Sequence, residues 1–320
     1  MSSAELGGVV ARTAREGGEV DASTQVDVSW EEEAAPLFRV ATVRRYGAAR
    51  TKQTLLLMRG AERLDRIFPE WLRTNFDQFG NYTPTDLNQP LNIPDRSCPA
   101  EQFQSDSPIT SVGQITTQMI GRGLNMADAT PNRIYSSPAL RCVMTAAELV
   151  KQIRHANKEP PKICIEPALF ELGAWYKQKM PSFCSLEQLL QFRIPVDTEY
   201  QPIMQLSEVQ CLRQESLSQF YQRIPEVLCR LSEGWSGAGV AVVVTHAVCL
   251  DAAVRGLNRK PPQPLTEQDI EHMGLHYPYC ALLTFNRPLT GGPWGAVPDL
   301  LPPVNYLDFC NLANKRFMNR

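Results

Sequence analysis

The stretch Thr54-Leu55-Leu56-Leu57-Met58-Arg59-Gly60-Ala61-Glu62-Arg63 decides the fold class of this chain. Its first five residues form a short apolar run, which is typical of a strand buried on both faces in a parallel sheet. Arginines follow the strand directly. The spacing of the next apolar residues predicts a helix, on Leu64, Ile67, Phe68, Trp71 and Leu72. The stretch therefore predicts a buried strand whose carboxyl end carries cationic side chains.

Further short strands alternate with helices along the rest of the chain. Strands are predicted at 133–137, 162–165, 239–245 and 280–285, and helices at 110–126, 138–154, 214–233 and from 247 onward. This alternation predicts an α/β domain of three layers, α/β/α, with a mainly parallel sheet. In such sheets ligands bind beyond the carboxyl ends of the strands, so the residues after each strand are the candidates for chemistry.

The chain is expected to consist of a tail and one domain. Residues 1–50 are polar and show no helical or strand period, which predicts a disordered N-terminal tail. The domain is assigned to residues 51–320, with cap insertions at about 77–110 and 172–212. The first insertion is rich in Pro, Asn and Asp and is predicted to be irregular, whereas the second is predicted to be mostly helical.

Composition argues against several classes of partner. The 32 Lys and Arg residues balance 34 Asp and Glu residues, so neither nucleic acid nor an anionic membrane is expected as a partner. The longest apolar run, Val240–Val244, is too short to cross a bilayer. Nine scattered cysteines without a C-x-x-C pair indicate a reduced, cytoplasmic chain with neither a zinc site nor a disulfide framework. No metal and no cofactor are predicted.

Five ionisable residues fall at or soon after predicted strand ends. Arg59 and Arg63 follow the first strand, Arg141 the second, Glu171 the third, and His246 the strand at 239–245. Guanidinium groups match phosphate oxygens bidentately, and helix N-termini at the same sheet edge add N–H donors. Taken singly, each residue is more simply explained by an ion pair or a backbone hydrogen bond. Together, at corresponding positions, they predict a phosphate site.

Short motifs in the same order resemble those of the histidine phosphatase (phosphoglycerate mutase-like) superfamily. Met58–Asp65 resembles its R-H-G-E-R signature, Ile109–Gly113 its L-T-x-x-G helix start, and Thr245–Ala247 its S-H-G motif. Ser137–Cys142 and Glu166–Glu171 resemble segments of the phosphatase domain of the Sts proteins, the ubiquitin-associated and SH3 domain-containing proteins. An ordered set of this kind is far more specific than any one of its members.

The resemblance covers about residues 54–290 and implies both a histidine-phosphatase fold and a set of roles. Arg59, Arg63 and Arg141 would hold the phosphoryl oxygens, and His246 would donate to them. Glu171 would be the proton donor to the leaving oxygen. The resemblance also implies a homodimer.

The sequence departs from the family at the nucleophile. The superfamily attacks phosphorus with the histidine of R-H-G, and Gly60 stands at that position, followed by Ala61 in place of the family glycine. Glycine has no side-chain lone pair, and loss of a catalytic nucleophile typically costs about 10⁶ in turnover. The arginines would still bind phosphate. The prediction is a pseudophosphatase that binds a phosphate ester or phosphoprotein without turning it over.

Two alternatives stay open at this point. An active phosphomonoesterase or protein-tyrosine-type phosphatase would need a non-standard nucleophile, either His246 or a water aligned by Glu171. The other histidines fall at a helix end and in a late loop, as His155, His272 and His276. The second alternative is a protein-interaction or dimerisation scaffold whose pocket is vestigial.

Three residues beside the motifs have two interpretations each. Trp175 and Tyr176 would either wall a pocket for an aromatic phosphate or pack inside the cap. Cys142, next to Arg141, would be either a nucleophile or a buried thiol. The second interpretation is favoured for Cys142 because no C-x₅-R loop surrounds it.

Overall fold

The computed structural model describes residues 52–154, 159–235, 237–258 and 266–318. The predicted tail at 1–50 and His155 lie outside the described residues. The strands are β1 (Lys52–Arg59), β2 (Arg133–Ser136), β3 (Ile163–Ile165), β4 (Gly239–Thr245), β5 (Leu282–Pro288), β6 (Gly295–Val297), β7 (Asn305–Tyr306) and β8 (Phe309–Cys310).

Six of these strands form one sheet in the order β3-β2-β4-β1-β5-β6. Strands β1 to β4 are parallel, and β5 is antiparallel to both of its neighbours, which confirms a mainly parallel sheet. The register sets Arg59 opposite Thr245, so the carboxyl ends of β1 and β4 reach the same edge. Strand β5 begins at Leu282 and not at Cys280, because the backbone of Cys280 is left-handed, with φ of 57°.

The α-helices are α1 (Leu64–Ile67), α2 (Trp71–Thr74), α3 (Pro99–Phe103), α4 (Ser111–Met126), α5 (Leu140–Gln152), α6 (Leu186–Gln191), α7 (Leu217–Glu233), α8 (Ala247–Leu257), α9 (Glu267–Glu271), α10 (Met273–His276) and α11 (Lys315–Met318). Short 3₁₀ helices lie at Pro167–Leu169, Gly173–Trp175 and Leu206–Gln214. No described helix is long and apolar enough to cross a membrane.

The sequence prediction of one helix over residues 64–72 is wrong. Helix α1 ends at Ile67 and α2 begins at Trp71. Pro69 explains the break, because proline has no N–H and excludes the α conformation from the residue before it. Phe68 accordingly has φ −122° and ψ 77°.

The two predicted cap insertions contain little regular structure. The first, at 77–110, holds the single helix α3. In the second, at 172–212, short helical segments are separated by loops that contain Pro181, Pro195 and Pro202. Proline cannot continue a helix across these loops.

Helices cover both faces of the sheet. Successive side chains of a strand point to opposite faces, so Leu56 and Met58 join one core cluster, whereas Leu55 and Leu57 join the other. The first cluster includes the buried sides of α4 and α5, and the second includes those of α7 and α8. The predicted three-layer α/β/α arrangement is thereby confirmed.

Candidate functional site

The carboxyl ends of β1, β2 and β4 place the motif residues side by side. The N–H of Gly60 donates to the carbonyl of Thr245 at 2.8 Å, and the N–H of Ser137 donates to that of Val244 at 3.0 Å. His246 therefore follows β4 directly beside the segment that follows β1. The strand pairing alone fixes this juxtaposition, because adjacent parallel strands end at the same edge of the sheet.

Arg141 lies at the centre of the site, in the first turn of α5. Its side chain is only 5% exposed. Its Nη2 donates to Glu171 Oε1 at 2.6 Å and lies 3.1 Å from His246 Nδ1. Its Nη1 is buried and has no hydrogen-bond partner among the residues that the structure describes. An orphaned donor on a buried guanidinium is costly unless an anion binds there, so this atom points to a missing acceptor.

Glu171 is an ionised carboxylate held by its neighbours. Its Oε1 also accepts from the hydroxyl of Tyr176 at 2.6 Å, and its Oε2 lies 3.3 Å from His246 Nδ1. Burial by itself raises the pKa of a carboxyl, but the interaction with His246 and the positive charges of Arg141 and Arg63 lower the pKa of Glu171 to about 2. In the free site Glu171 therefore has no proton to donate. A bound phosphate dianion would raise its pKa and supply one condition for the proton-donor role.

His246 is neutral. Burial, reinforced by the charges of the three site arginines, lowers the pKa of His246 to about 3, although Glu171 opposes the shift. Its Nε2 lies 2.8 Å from Ser137 Oγ, and the ring packs edge-on against Phe170. Nδ1 of His246 lies between the donor Nη2 of Arg141, at 3.1 Å, and the carboxylate oxygen Oε2 of Glu171, at 3.3 Å.

The arginines at the end of β1 and just after it, Arg59 and Arg63, form contacts outside the predicted phosphate site. Arg63 forms a bidentate ion pair with Asp65, at 2.9 and 2.6 Å. Nη1 of Arg59 donates to the carbonyls of Gly274 and Tyr277, and its guanidinium stacks on the ring of Tyr279 at 4.1 Å. Arg59 lines the same cavity as the other residues, but its Nη1 is directed at the wall of that cavity.

Gly60 leaves open space at the base of the site. A β carbon added there would lie 3.4 Å from Cys142 Sγ and 3.7 Å from the carbonyl oxygen of Arg141, which are ordinary contacts. Neither Gly60 nor Ala61 has a positive φ, so the backbone conformation at both positions is open to any L-amino acid. Burial raises the pKa of Cys142 to about 12, which confirms the interpretation as a buried, inert thiol.

A cavity of about 590 Å³ joins these residues to solvent. Five of the predicted site residues line it, namely Arg59, Arg63, Arg141, Glu171 and His246, together with Gly60. Trp175 lines it too, whereas Tyr176 bonds to Glu171 and packs on Phe170. His272, which the sequence places in a late loop, lies in the wall of this cavity at the junction of α9 and α10.

The side chains that line the cavity carry a small excess of positive charge. Four arginines line it, Arg59, Arg63, Arg66 and Arg141, against three carboxylate residues, Glu171, Glu271 and Asp308, and the ring of His246 is neutral. Among the described residues no group of three or more His, Cys, Asp or Glu is placed to hold a metal ion. The arrangement can bind a phosphoryl group and stabilise negative charge on its oxygens.

Two supporting residues have no signal in the sequence. Asp65 holds Arg63, and Asp106 holds the start of α5 by accepting from the N–H of Leu140 at 2.7 Å. Asp106 is fully buried and also pairs with Arg96 at 2.5 Å. Only a three-dimensional structure brings Asp106, 34 residues away in sequence, to the helix that carries Arg141.

Comparison with known proteins agrees with this geometry. The family model "Histidine phosphatase superfamily (branch 1)" matches residues 99–277. The ecdysteroid-phosphate phosphatase of Drosophila melanogaster is 35% identical over 78% of this chain and 32% of its own length. Ubiquitin-associated and SH3 domain-containing protein B of Homo sapiens is 31% identical over 78% of this chain and 38% of its own.

A solved structure shows the same fold. The ecdysone phosphate phosphatase from Bombix mori, in complex with tungstate, has a TM-score of 0.66 and 26% identity, covering 83% of this chain and 99% of that one. The chain spans about a third to two fifths of the length of the curated relatives it matches. On its fold, its motifs and the family match, this chain belongs to the histidine phosphatase superfamily (branch 1).

Proposed function

We propose that this chain binds phosphate monoesters in its arginine site and does not hydrolyse them at the rate of a working histidine phosphatase. One observation carries the binding half of this proposal. Within the described part of the chain, Nη1 of Arg141 is a buried donor without a partner, on a side chain that lines the cavity. Charge-assisted hydrogen bonds to phosphate contribute about 1.5–3 kcal/mol each, so this atom alone favours an anionic ligand.

The second half of the proposal rests on the residue at position 60. The superfamily nucleophile would stand at Gly60, and glycine leaves only space there. Cys142, the nearest sulfur to that space, is a protonated thiol at neutral pH. The nearest ring, His246, already bonds through Nε2 to Ser137. The residues around Gly60 can therefore bind a phosphoryl group and polarise its bonds. Neither Cys142 nor His246 is placed to attack the phosphorus atom.

The ligand is a phosphate ester or a phosphorylated protein. The names of the relatives support the first class, because two of them act on an ecdysteroid phosphate. Tungstate, an oxyanion like phosphate, occupies the relative from Bombix mori. All nine cysteines are free, as expected in a reducing compartment, so we place this binding in the cytoplasm.

One observation favours a second candidate function, an active phosphatase with a non-standard nucleophile. His272 lines the cavity and is exposed, so an imidazole is present in the wall as well as at His246. The Nδ1 of His272 contacts the carbonyl of Gln268 at 2.8 Å, so Nε2 is the ring nitrogen that would act as the nucleophile. Turnover that depends on His272 would establish this alternative.

Calorimetric titration with inorganic phosphate tests the binding half. The matched variants are Arg141→Met, which removes the donors, and Arg141→Lys, which keeps the charge and loses the planar fork. We expect the wild type to bind, Arg141→Lys to bind about 10- to 100-fold more weakly, and Arg141→Met to bind weaker still. If the wild type and Arg141→Lys are both folded and bind phosphate with equal affinity, the guanidinium of Arg141 does not bind the phosphate and this half of the proposal is wrong.

A further inference from the structure

An exposed apolar groove runs along helix α4 beside the phosphate site. It has a volume of about 480 Å³, and we call it the α4 groove, after its lining residues Ile67, Val112, Ile115, Met119, Tyr279 and Phe309. Val112, Ile115 and Met119 follow one another at helical spacing and are 39%, 51% and 44% exposed. Large apolar side chains in a contiguous exposed stripe mark a binding surface more often than a plain solvated face.

The lining of the α4 groove is almost free of charge. Among the described residues that line it, Glu62 is the only charged side chain. Oε1 of Glu62 already accepts from the hydroxyl of Thr110 at 2.7 Å, at the start of α4. No cation lines the groove to receive an acidic group. Its occupant is therefore uncharged and apolar where it lies in the groove.

The groove and the phosphate site are neighbours that share a wall. Tyr279 and Phe309 line both cavities. Ala61 lines the phosphate site, and the next residue, Glu62, lines the groove. The two cavities are therefore adjacent, on either side of Tyr279 and Phe309.

The hairpin of β7 and β8 is fixed against this shared wall. The side chain of Asn311 is buried and donates from Nδ2 to the carbonyl of Cys280 at 3.2 Å, while its Oδ1 accepts from the N–H of Val304. Phe309 is thus held next to Tyr279 by the base of its own hairpin. A preformed apolar wall costs a ligand less ordering than a mobile one.

From this adjacency we infer that the α4 groove binds the apolar part of the phosphate ester whose phosphate occupies the arginine site. The ligand class is a monophosphate ester with an extended apolar body and no second anionic group. This inference rests on the proposed function, because the arginine site supplies the anchor. The groove then sets which phosphate esters bind.

Titration calorimetry with methyl, butyl and octyl monophosphate tests the inference. The groove variant is Ile115→Gln with Met119→Gln, which keeps good helix formers and adds no charge. Met126→Gln is the matched control, because Met126 is exposed on the same helix and does not line the groove. With each buried methylene contributing up to about fourfold in affinity, octyl phosphate should bind wild type about 100-fold or more tighter than methyl phosphate.

The variants separate this inference from the proposed function. The groove variant should lose about tenfold or more in octyl phosphate affinity and none in methyl phosphate affinity, and Met126→Gln should change neither. Equal binding of methyl and octyl phosphate by the wild type would overturn the groove assignment and leave the arginine site intact. Octyl phosphate binding that survives Arg141→Met would overturn both, because the phosphate would then not be the anchor. If the groove variant changes the oligomeric state of the protein, measured as its mass in solution, and leaves its ligand affinities unchanged, the groove is an interface between copies of the chain and the inference is overturned.

Discussion

Replacing Gly60 by histidine would supply the nucleophile that this site lacks. The β carbon of the new side chain is accommodated, because it would make ordinary contacts with Cys142 Sγ at 3.4 Å and the Arg141 carbonyl oxygen at 3.7 Å. The backbone at Gly60 is not left-handed, so a residue with a side chain needs no change of backbone conformation there. The arginines, Glu171 and His246 already surround this position in the wild type.

The size of the gain follows from what is restored and what is not. A catalytic nucleophile is worth about 10⁶ in turnover, or roughly 8 kcal/mol of barrier. Arg59 remains tied to the carbonyls of Gly274 and Tyr277, so one phosphate contact stays incomplete. We therefore expect the Gly60→His variant to recover part of the lost turnover. It should hydrolyse aryl phosphates about 10³-fold or more faster than the wild type.

The assay is steady-state hydrolysis of p-nitrophenyl phosphate, with an acid-quench search for a phosphorylated protein. Gly60→Ala is the matched control, because it fills the β-carbon space and adds no nucleophile. Gly60→His should form a phosphoprotein and Gly60→Ala should not. If Gly60→His folds and binds phosphate but turns over no faster than Gly60→Ala, the retained residues do not make a competent phosphatase site and the reasoning fails.

Three further outcomes follow from the charges of the site. Because the pKa of His246 falls from 6.5 to about 3 on folding, the unfolded chain takes up a proton that the folded chain does not, so the unfolding free energy should fall as pH falls from 6.5 to 3. In denaturant titrations between pH 6.5 and 3, the unfolding free energy of His246→Gln should depend less on pH than that of the wild type. An equal pH dependence of the two proteins would contradict a neutral, buried ring. Glu171→Gln removes the anion beside Arg141, so phosphate should bind about tenfold tighter at pH 7 by calorimetry, and weaker binding would show that the carboxylate helps to hold the anion. Asp106→Asn leaves Arg96 buried without its counter-charge, and chemical unfolding should show a loss of about 3–5 kcal/mol that Arg96→Met partly restores in the double variant; a loss within error would mean that the pair contributes little.

The sheet and the ends of its strands could be predicted from the sequence because both depend on local pattern. The run Gly239–Thr245 is β-branched and buried, and it forms β4 over the predicted residues. Helix α4 begins at Ser111, one residue after the predicted start, because Thr110 is its cap and accepts from the N–H of Gly113. Once the strands are parallel, their carboxyl ends must meet at one edge, so the gathering of Arg63, Arg141, Glu171 and His246 follows from topology.

The details that tune the site could not be predicted, because they depend on contacts between distant segments. Nothing near Arg59 in sequence shows that α10 will offer it carbonyl groups. Asp106 supports α5 from an insertion with no regular pattern. The β7–β8 hairpin lies beyond the motifs, yet its Phe309 forms part of the cavity wall. The placement of His272 in that wall depends on the packing of two short helices whose periodicity is too brief to detect.

The most direct test of binding without turnover is hydrolysis of p-nitrophenyl phosphate by the wild-type protein, run beside His246→Ala and His272→Ala at the same concentration. We expect all three to give the same rate, at the level of the buffer, while calorimetry on the same wild-type sample shows phosphate binding. A wild-type rate well above both variants, or above either one, would show that this chain is a working phosphatase and that one of those histidines takes part in its chemistry.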